Sequence, residues 1–271
     1  MMKKRIESVD VLRGITIIAM IIVNTPGTWD KVYPPFLHAE WHGLTPTDLI
    51  FPFFLFIVGI SIYYAYKKKE FSISVFKKVF IRSLKLILLG LFLNLFLPYF
   101  PFVTDLETIR LTGVLQRIGI VFFVTSLLFM NFEWKILLGI GIVILLSYWF
   151  VLGSLTFPDG TLPTYNRATN NWVSFIDRSV LGNHMWKPDY DPEGFLSTFP
   201  SIVTCLIGVL IARVLDTMKS INVLFYSAFA LIFFGCLLDF WFPINKAIWS
   251  SSFVLVTGGI GTFILATIYY I

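Results

Sequence analysis

The chain has 271 residues, 57% of them hydrophobic and only 14% charged, with a net charge of +5 and a mean hydropathy of +0.81. Soluble domains carry about 25% charged residues, so composition excludes a water-soluble globule. Several apolar runs approach the ~20 residues that cross a bilayer, which predicts an all-α, polytopic transmembrane bundle with the lipid bilayer as its first partner. The positive balance is not read as a nucleic-acid signal; no nucleic acid is expected, because the basic residues follow the membrane.

In chain order, the first helix is expected at about Val9–Asn24. It resembles a signal peptide in hydropathy, but no small-x-small cleavage site follows, and Asp10 and Arg13 break the layout. The next segments are about Thr47–Tyr66, closing on Lys67, Lys68 and Lys69; Val79–Phe96, stopped at Pro98; Gly113–Met130; and Trp134–Leu152. A polar loop, Gly153–Gly194, precedes Phe195–Leu215, Val223–Phe242 and Ala247–Ile271. This gives about eight spanning helices in one domain, residues 1–271. The last helix ends at Tyr269-Tyr270-Ile271 without a polar flank, so the bundle reads as incomplete at its C-terminus or as ending at the interface. No internal repeat is visible.

The stretch from Lys67 to Lys85 holds seven basic residues, and Lys3, Lys4, Arg5, Lys135, Arg213 and Lys219 fall on the same side. The positive-inside rule then places the N-terminus in the cytoplasm of a multi-pass cell (inner) membrane protein. His38, the 153–194 loop and Pro243–Lys246 face outward. Cys205 and Cys236 lie in apolar runs and read as packing residues. Of the three histidines, His38 and His42 are four apart, but Gly43 and Pro46 interrupt any helix there, and no metal is expected.

The chemistry-bearing stretch is His38–Gly59, HAEWHGLTPTDLIFPFFLFIVG, a polar loop that runs into a strongly apolar segment. A titratable imidazole at the mouth of such a bundle is costly unless satisfied or used. It is either a hydrogen-bonded interfacial residue or a reactive one. Thr45-Pro46-Thr47-Asp48 has the form of a helix start, with Thr45 or Thr47 as cap and Asp48 in the first turn. Trp41 fits an aromatic belt. Asp10, Ile17 and Asn24, seven apart, share one face of the first helix, with Asp10 and Asn24 ~21 Å apart. Asp10 and Arg13 can form an ion pair that anchors the helix, and Asn24 can end it before Pro26 and Gly27. Asn94, Gln116, Arg117 and Asp239 gather toward the outer side. Arg117 and Asp239 either pair as a clamp or line a polar cavity. Asp191 and Glu193, in DPEG, precede a helix start, where negative charge is favourable.

Seven stretches occur in order: Ser8–Gly14 (SVDVLRG), Val23–Asn24, His38–Gly59, Gly113–Gly119 (GVLQRIG), Asp177–Gly182 (DRSVLG), Tyr190–Thr198 (YDPEGFLST) and Phe242–Ser250 (FPINKAIWS). Together they resemble the catalytic region of the heparan-α-glucosaminide N-acetyltransferase family, over nearly the whole chain. The resemblance implies transmembrane acetyl transfer from cytosolic acetyl-CoA, as co-substrate, to a glucosamine amine on the far side. For this chain the acceptor is an extracytoplasmic glycan or amino sugar. His38 falls on the family's catalytic histidine and Asn24 on its catalytic asparagine. Asp48, Trp41, His42, Arg117, Asp191, Glu193 and Asp239 are the expected acceptor-side residues, and Asp10 and Arg13 the expected acetyl-CoA-side ones. His42 departs from the lysosomal members, which have asparagine there. Those members also carry a luminal domain and a preceding helix not seen here, and the family continues by about two helices beyond this chain's last residue. O-acetylation is a close variant, and a homodimer is allowed. Amine acetylation needs a base and a group to hold the oxyanion. A histidine, with an ordinary value of ~6.5, can be that base or can carry the acetyl group as nucleophile. The rival reading is a transporter or flippase for a sugar-linked or acidic solute, supported by Gly258, Gly259 and Gly261 and by Asp239.

Overall fold

A computed structural model describes residues 7–96, 100, 102–218 and 220–271. Among them the helices are α1 (Glu7–Asn24), α2 (Ile50–Tyr66), α3 (Ile73–Leu95), α4 (Val114–Asn131), α5 (Trp134–Ser154), α6 (Trp172–Leu181), α7 (Thr198–Thr217), α8 (Ile221–Asp239) and α9 (Ser251–Tyr270). The only β feature among the described residues is an isolated bridge between Phe96 and Val103. The all-α expectation holds. Among the described residues six segments are long and apolar enough to cross a membrane: Pro46–Tyr66, α4, α5, α7, α8 and α9. The expected count of about eight is not reached on this measure. The two remaining long helices are charged, with Glu7, Asp10 and Arg13 in α1 and Lys77, Lys78, Arg82 and Lys85 in α3.

Local chemistry explains where the boundaries moved. Ser72 accepts a hydrogen bond from the Val75 N–H at 3.3 Å, so α3 begins at Ile73 rather than Val79. Pro46–Leu49 forms a 3₁₀ turn ahead of α2. The outer loop contains α6, started by the Asn171 side chain, which accepts from the Val173 and Ser174 N–H groups. The expected stop at Pro98, and the basic residues Lys3, Lys4, Arg5 and Lys219, lie outside the described residues.

Helices α2, α7 and α9 form the buried centre. Lipid supplies no hydrophobic drive between helices, so close backbone approach at small residues does the packing. A Cβ on Gly59 would strike the Cys205 carbonyl oxygen, and one on Gly208 the Phe56 carbonyl oxygen. Gly258 faces Ile207, and Gly259 faces the Ala228 carbonyl and Ile232. These two glycines therefore pack α9 against α7 and α8 and do not open a passage, which removes one support of the transporter reading. Cys205 is buried at the α2–α7 contact, whereas Cys236 is exposed rather than packed.

Two features position the site. In α1 the buried residues are Ser8, Val9, Leu12 and Thr16, and none from Ile17 to Asn24 is buried. Asn94, near the end of α3, donates to the Arg110 and Thr112 carbonyls at 2.7 and 2.9 Å, fixing the segment that enters α4.

Candidate active site

Asp48 organises the loop ahead of α2. It sits in the Pro46–Leu49 turn, and its Oδ2 accepts from the Thr45 N–H (3.1 Å), the Thr45 hydroxyl (2.9 Å) and the Ala39 N–H (3.1 Å). Its Oδ1 lies 2.7 Å from His38 Nδ1. An ionised carboxylate only accepts, so Nδ1 carries a proton, and in the neutral ring the lone pair is the one on Nε2. The Asp48 side chain is 1% exposed and that of His38 56%. The buried member thus fixes the tautomer and the ring, and the exposed member presents Nε2. A buried acid bonded to Nδ1 is the arrangement that fixes a histidine ring's orientation. Gly43, at φ +113°, turns the loop and donates its N–H to the Ile244 carbonyl at 2.8 Å.

His38 opens on a cavity of about 640 Å³. Ile17, Met20 and Asn24 form its α1 wall, and Phe51, Phe54 and Ile118 face it from α2 and α4. The cavity runs from a polar mouth down an apolar shaft; Ile17 lies about 10 Å along α1 from Asn24. Asn24 is exposed, and its amide nitrogen donates to the Met20 carbonyl at 3.0 Å.

The opposite rim is an ionic cluster. Arg110 grips Asp191 with two bonds, Nε–Oδ2 at 2.9 Å and Nη2–Oδ1 at 2.6 Å, and reaches Glu193 Oε2 at 2.5 Å. Asp191 also accepts from the Thr112 hydroxyl (2.6 Å) and the Trp186 N–H (2.7 Å). Burial works against both charges. For Arg110 the two carboxylates outweigh it and push the guanidinium up. For Asp191 the Arg110 bonds and charge, with Thr112, hold the carboxyl below its ordinary value. The Arg110 guanidinium also lies 5.1 Å from the Trp186 ring centre.

The structure brings only some of the expected residues together. His38, Asn24, Asp48, Trp41 and Glu193 line the one cavity, and Asp191 stands behind its rim. Trp41 donates to the Tyr165 carbonyl at 2.8 Å and meets Tyr190 edge-on. His42 is not among the lining residues: its Nε2 lies 2.9 Å from Asn166 Oδ1 and its Nδ1 3.2 Å from Asn245 Nδ2, tying three loops together. Arg117 and Asp239 do not pair as a clamp, one of the two arrangements considered for them. Asp239 is exposed and accepts the Ile244 N–H at 2.6 Å. Arg117 is fully buried; it donates to the Gly194 carbonyl (2.9 Å) and the Ser197 hydroxyl, and lies 5.2 Å from the Trp249 ring centre. Neither lines the cavity. Asp10 and Arg13 form an ion pair at 2.9 Å, with Arg13 reaching Ser61 at 3.4 Å. They sit beyond the Ile17 end of the cavity and outside its lining. Among the described residues no group of three or more His, Cys, Asp and Glu side chains could hold a metal.

Two residues of the cavity lining, Arg110 and Lys246, escaped the sequence reading, and so did a buried carboxyl outside that lining, Asp177. Arg110 was only one more basic residue on the outer side, and the signal was its position just ahead of GVLQRIG. Lys246 lines the cavity beside His38, and its signal was membership of FPINKAIWS. Asp177 is buried in α6; it accepts the Phe195 N–H at 2.8 Å on Oδ1, and its Oδ2 has no hydrogen-bond partner among the described residues. Burial pushes its carboxyl from 3.8 to about 7, partly opposed by the Phe195 N–H and the Arg117 charge.

The heparan-alpha-glucosaminide N-acetyltransferase of Mus musculus is 29% identical over 98% of this chain and 49% of its own length. That of Homo sapiens is 29% identical over 98% of this chain and 48% of its own. The chain spans about half the length of these relatives. The family model described as heparan-alpha-glucosaminide N-acetyltransferase, catalytic, matches residues 5–238, and on that match this multi-pass chain belongs to the heparan-alpha-glucosaminide N-acetyltransferase family.

Proposed function

We propose that the protein is a membrane N-acetyltransferase that moves an acetyl group from cytoplasmic acetyl-CoA to the amine of a terminal glucosamine-type sugar outside the cell membrane. The observation that carries the reading is the His38–Asp48 pair: Nδ1 is held at 2.7 Å by a buried carboxylate, and His38 lines the cavity. The relatives' printed names supply the acceptor class. The apolar shaft between α1, α2 and α4 suits the pantetheine arm of the donor, and the lysines after α2 suit its phosphates. The cavity lining ends at Ile17, about 6 Å along α1 from Arg13, so Asp10 and Arg13 belong to the reading as the donor's way in.

His38 Nε2 takes the acceptor's ammonium proton, or attacks the thioester carbonyl itself and carries the acetyl group onward. Asp48 keeps the ring in the required tautomer and stabilises the imidazolium as it forms. Asn24, on the facing wall, donates through its amide to the carbonyl oxygen. Glu193, Trp41 and Asp48 shape the acceptor end, with Asp191 holding Arg110. Arg117, His42 and Asp239 act at a distance, through the loops they fix.

Labelled acetyl-CoA and glucosamine, offered to membranes containing the protein, test this directly. Acetylglucosamine should form with the wild type and not with His38→Ala. Acetylation retained by His38→Ala would remove His38 from its role, and glucosamine uptake without acetylation would favour a transporter. Labelled acetyl trapped on the protein without acceptor separates the carrier route from direct transfer.

A further inference from the structure

Lys246 has a place that the reading above leaves unused. Its Nζ lies 3.1 Å from His38 Nδ1, 3.3 Å from His38 Nε2 and 3.6 Å from Asp48 Oδ1, and its side chain is 19% exposed. The segment that carries it is built rather than loose. The Ile244 carbonyl accepts the Gly43 N–H, the Asn245 N–H meets Ser250 Oγ at 2.9 Å, and the Lys246 carbonyl accepts the Trp249 N–H at 3.1 Å. The Gly43–Ile244 bond thus ties the lysine loop to the histidine loop, and the other two brace the lysine loop within itself.

The two near-equal distances place Nζ over the face of the ring, off the line of either nitrogen's in-plane lone pair. A cation at that distance penalises imidazolium by Coulomb repulsion. It also stands beside the atom at which bond making occurs. We infer that Lys246 is a further catalytic residue of this site: with substrate in the cavity, its ammonium beside the His38 ring faces the negative charge that develops on the thioester oxygen. This rests on the acetyltransferase reading.

The step balances as follows. The acceptor nitrogen adds to the carbonyl carbon, its proton passes to Nε2, and the carbonyl electron pair moves to oxygen beside Nζ. The pair returns, the carbon–sulfur bond breaks, and the leaving thiolate takes the proton from Nε2. The charged and titratable groups around the contact are Asp48 against the ring and the ammonium, Glu193, Arg110 and Glu40 on the cavity wall, and His42 one turn along the loop. Burial pulls the Lys246 ammonium below its ordinary value, and Asp48 and Glu193 oppose that.

The test reads His38 in two ways in the full-length protein. Lys246→Met should lose about 10²-fold or more in kcat/KM, with the acidic limb of its pH profile moved to higher pH, because the ring protonates more easily without the neighbouring cation. The pH midpoint for carbethoxylation of His38 by diethyl pyrocarbonate, read by peptide mass, should rise in Lys246→Met and return toward wild type in Lys246→Arg. His184, bonded through Nδ1 to the Ile109 carbonyl at 2.8 Å, is the unmoved internal reference. A wild type inert toward acetyl-CoA sinks the transferase reading and the catalytic role with it. An active wild type whose Lys246→Met form keeps its pH profile and His38 midpoint sinks Lys246 alone.

Discussion

Asp48 and His38 divide one task between a buried and an exposed residue: the carboxylate at 1% exposure holds Nδ1 at 2.7 Å, and the ring at 56% exposure presents Nε2. The three further bonds that Asp48 accepts from Thr45 and Ala39 mean that it cannot turn away from the histidine without dismantling its own turn.

Asp48→Asn tests that division. An amide at this position can donate to Nδ1, which moves the ring proton to Nε2 and removes the free lone pair. Acetyl transfer should fall by about 10²–10⁴-fold with the donor's KM little changed. Kinetics on purified protein check it, and a loss below tenfold would count against the orienting role.

Asn24→Ala probes the facing wall. The side chain makes one local bond, to Met20, and lies at an exposed position, so thermal stability should change by no more than about 0.5 kcal/mol. Removing an oxyanion donor should lower kcat by about 10²–10³-fold. A fall in stability that matches the fall in activity would make Asn24 a helix-end residue only.

Arg110→Leu leaves Asp191 and Glu193 as uncompensated charges at the rim. The expected cost is about 3–5 kcal/mol, seen as a lower unfolding midpoint in detergent. Arg110→Lys should recover only part of it, because an ammonium cannot reproduce the two-bond grip on Asp191. Full recovery with lysine would show that charge alone matters.

Asp177 gives a pH dependence with a definite sign. Its folded carboxyl titrates at about 7, against 3.8 for the free group, so between those values the folded state binds the extra proton. Stability from this residue therefore falls as pH rises from about 4 to 7, and is level above that. Asp177→Asn should flatten this slope and raise the relative unfolding midpoint above pH 7, measured as midpoint against pH for both proteins. Parallel curves would show that Asp177 is ionised throughout.

Much of this was legible in the residues. The apolar runs gave the helices because each must bury its backbone polar groups within itself in lipid. The His38–Asp48 stretch stood out because a polar loop there has no composition-level excuse. Boundaries failed where a single side chain decided them, as Ser72 does for α3 and Asn171 for α6. The span count of about eight is not confirmed, because α1 and α3 combine spanning length with charge.

By itself the sequence determined the class of the molecule, the approximate place of its long helices and the polar loop that carries His38 and Asp48, since these rest on hydropathy and local hydrogen bonding. Tertiary structure alone decided the partners: Arg110 with Asp191 and Glu193, Arg117 with Gly194 and Ser197 instead of Asp239, and Lys246 beside His38. Each of these contacts joins residues tens to hundreds of positions apart. Charge type makes such a pair favourable but names no partner; the packing of α2, α7 and α9 and the loops they anchor selects which charges meet.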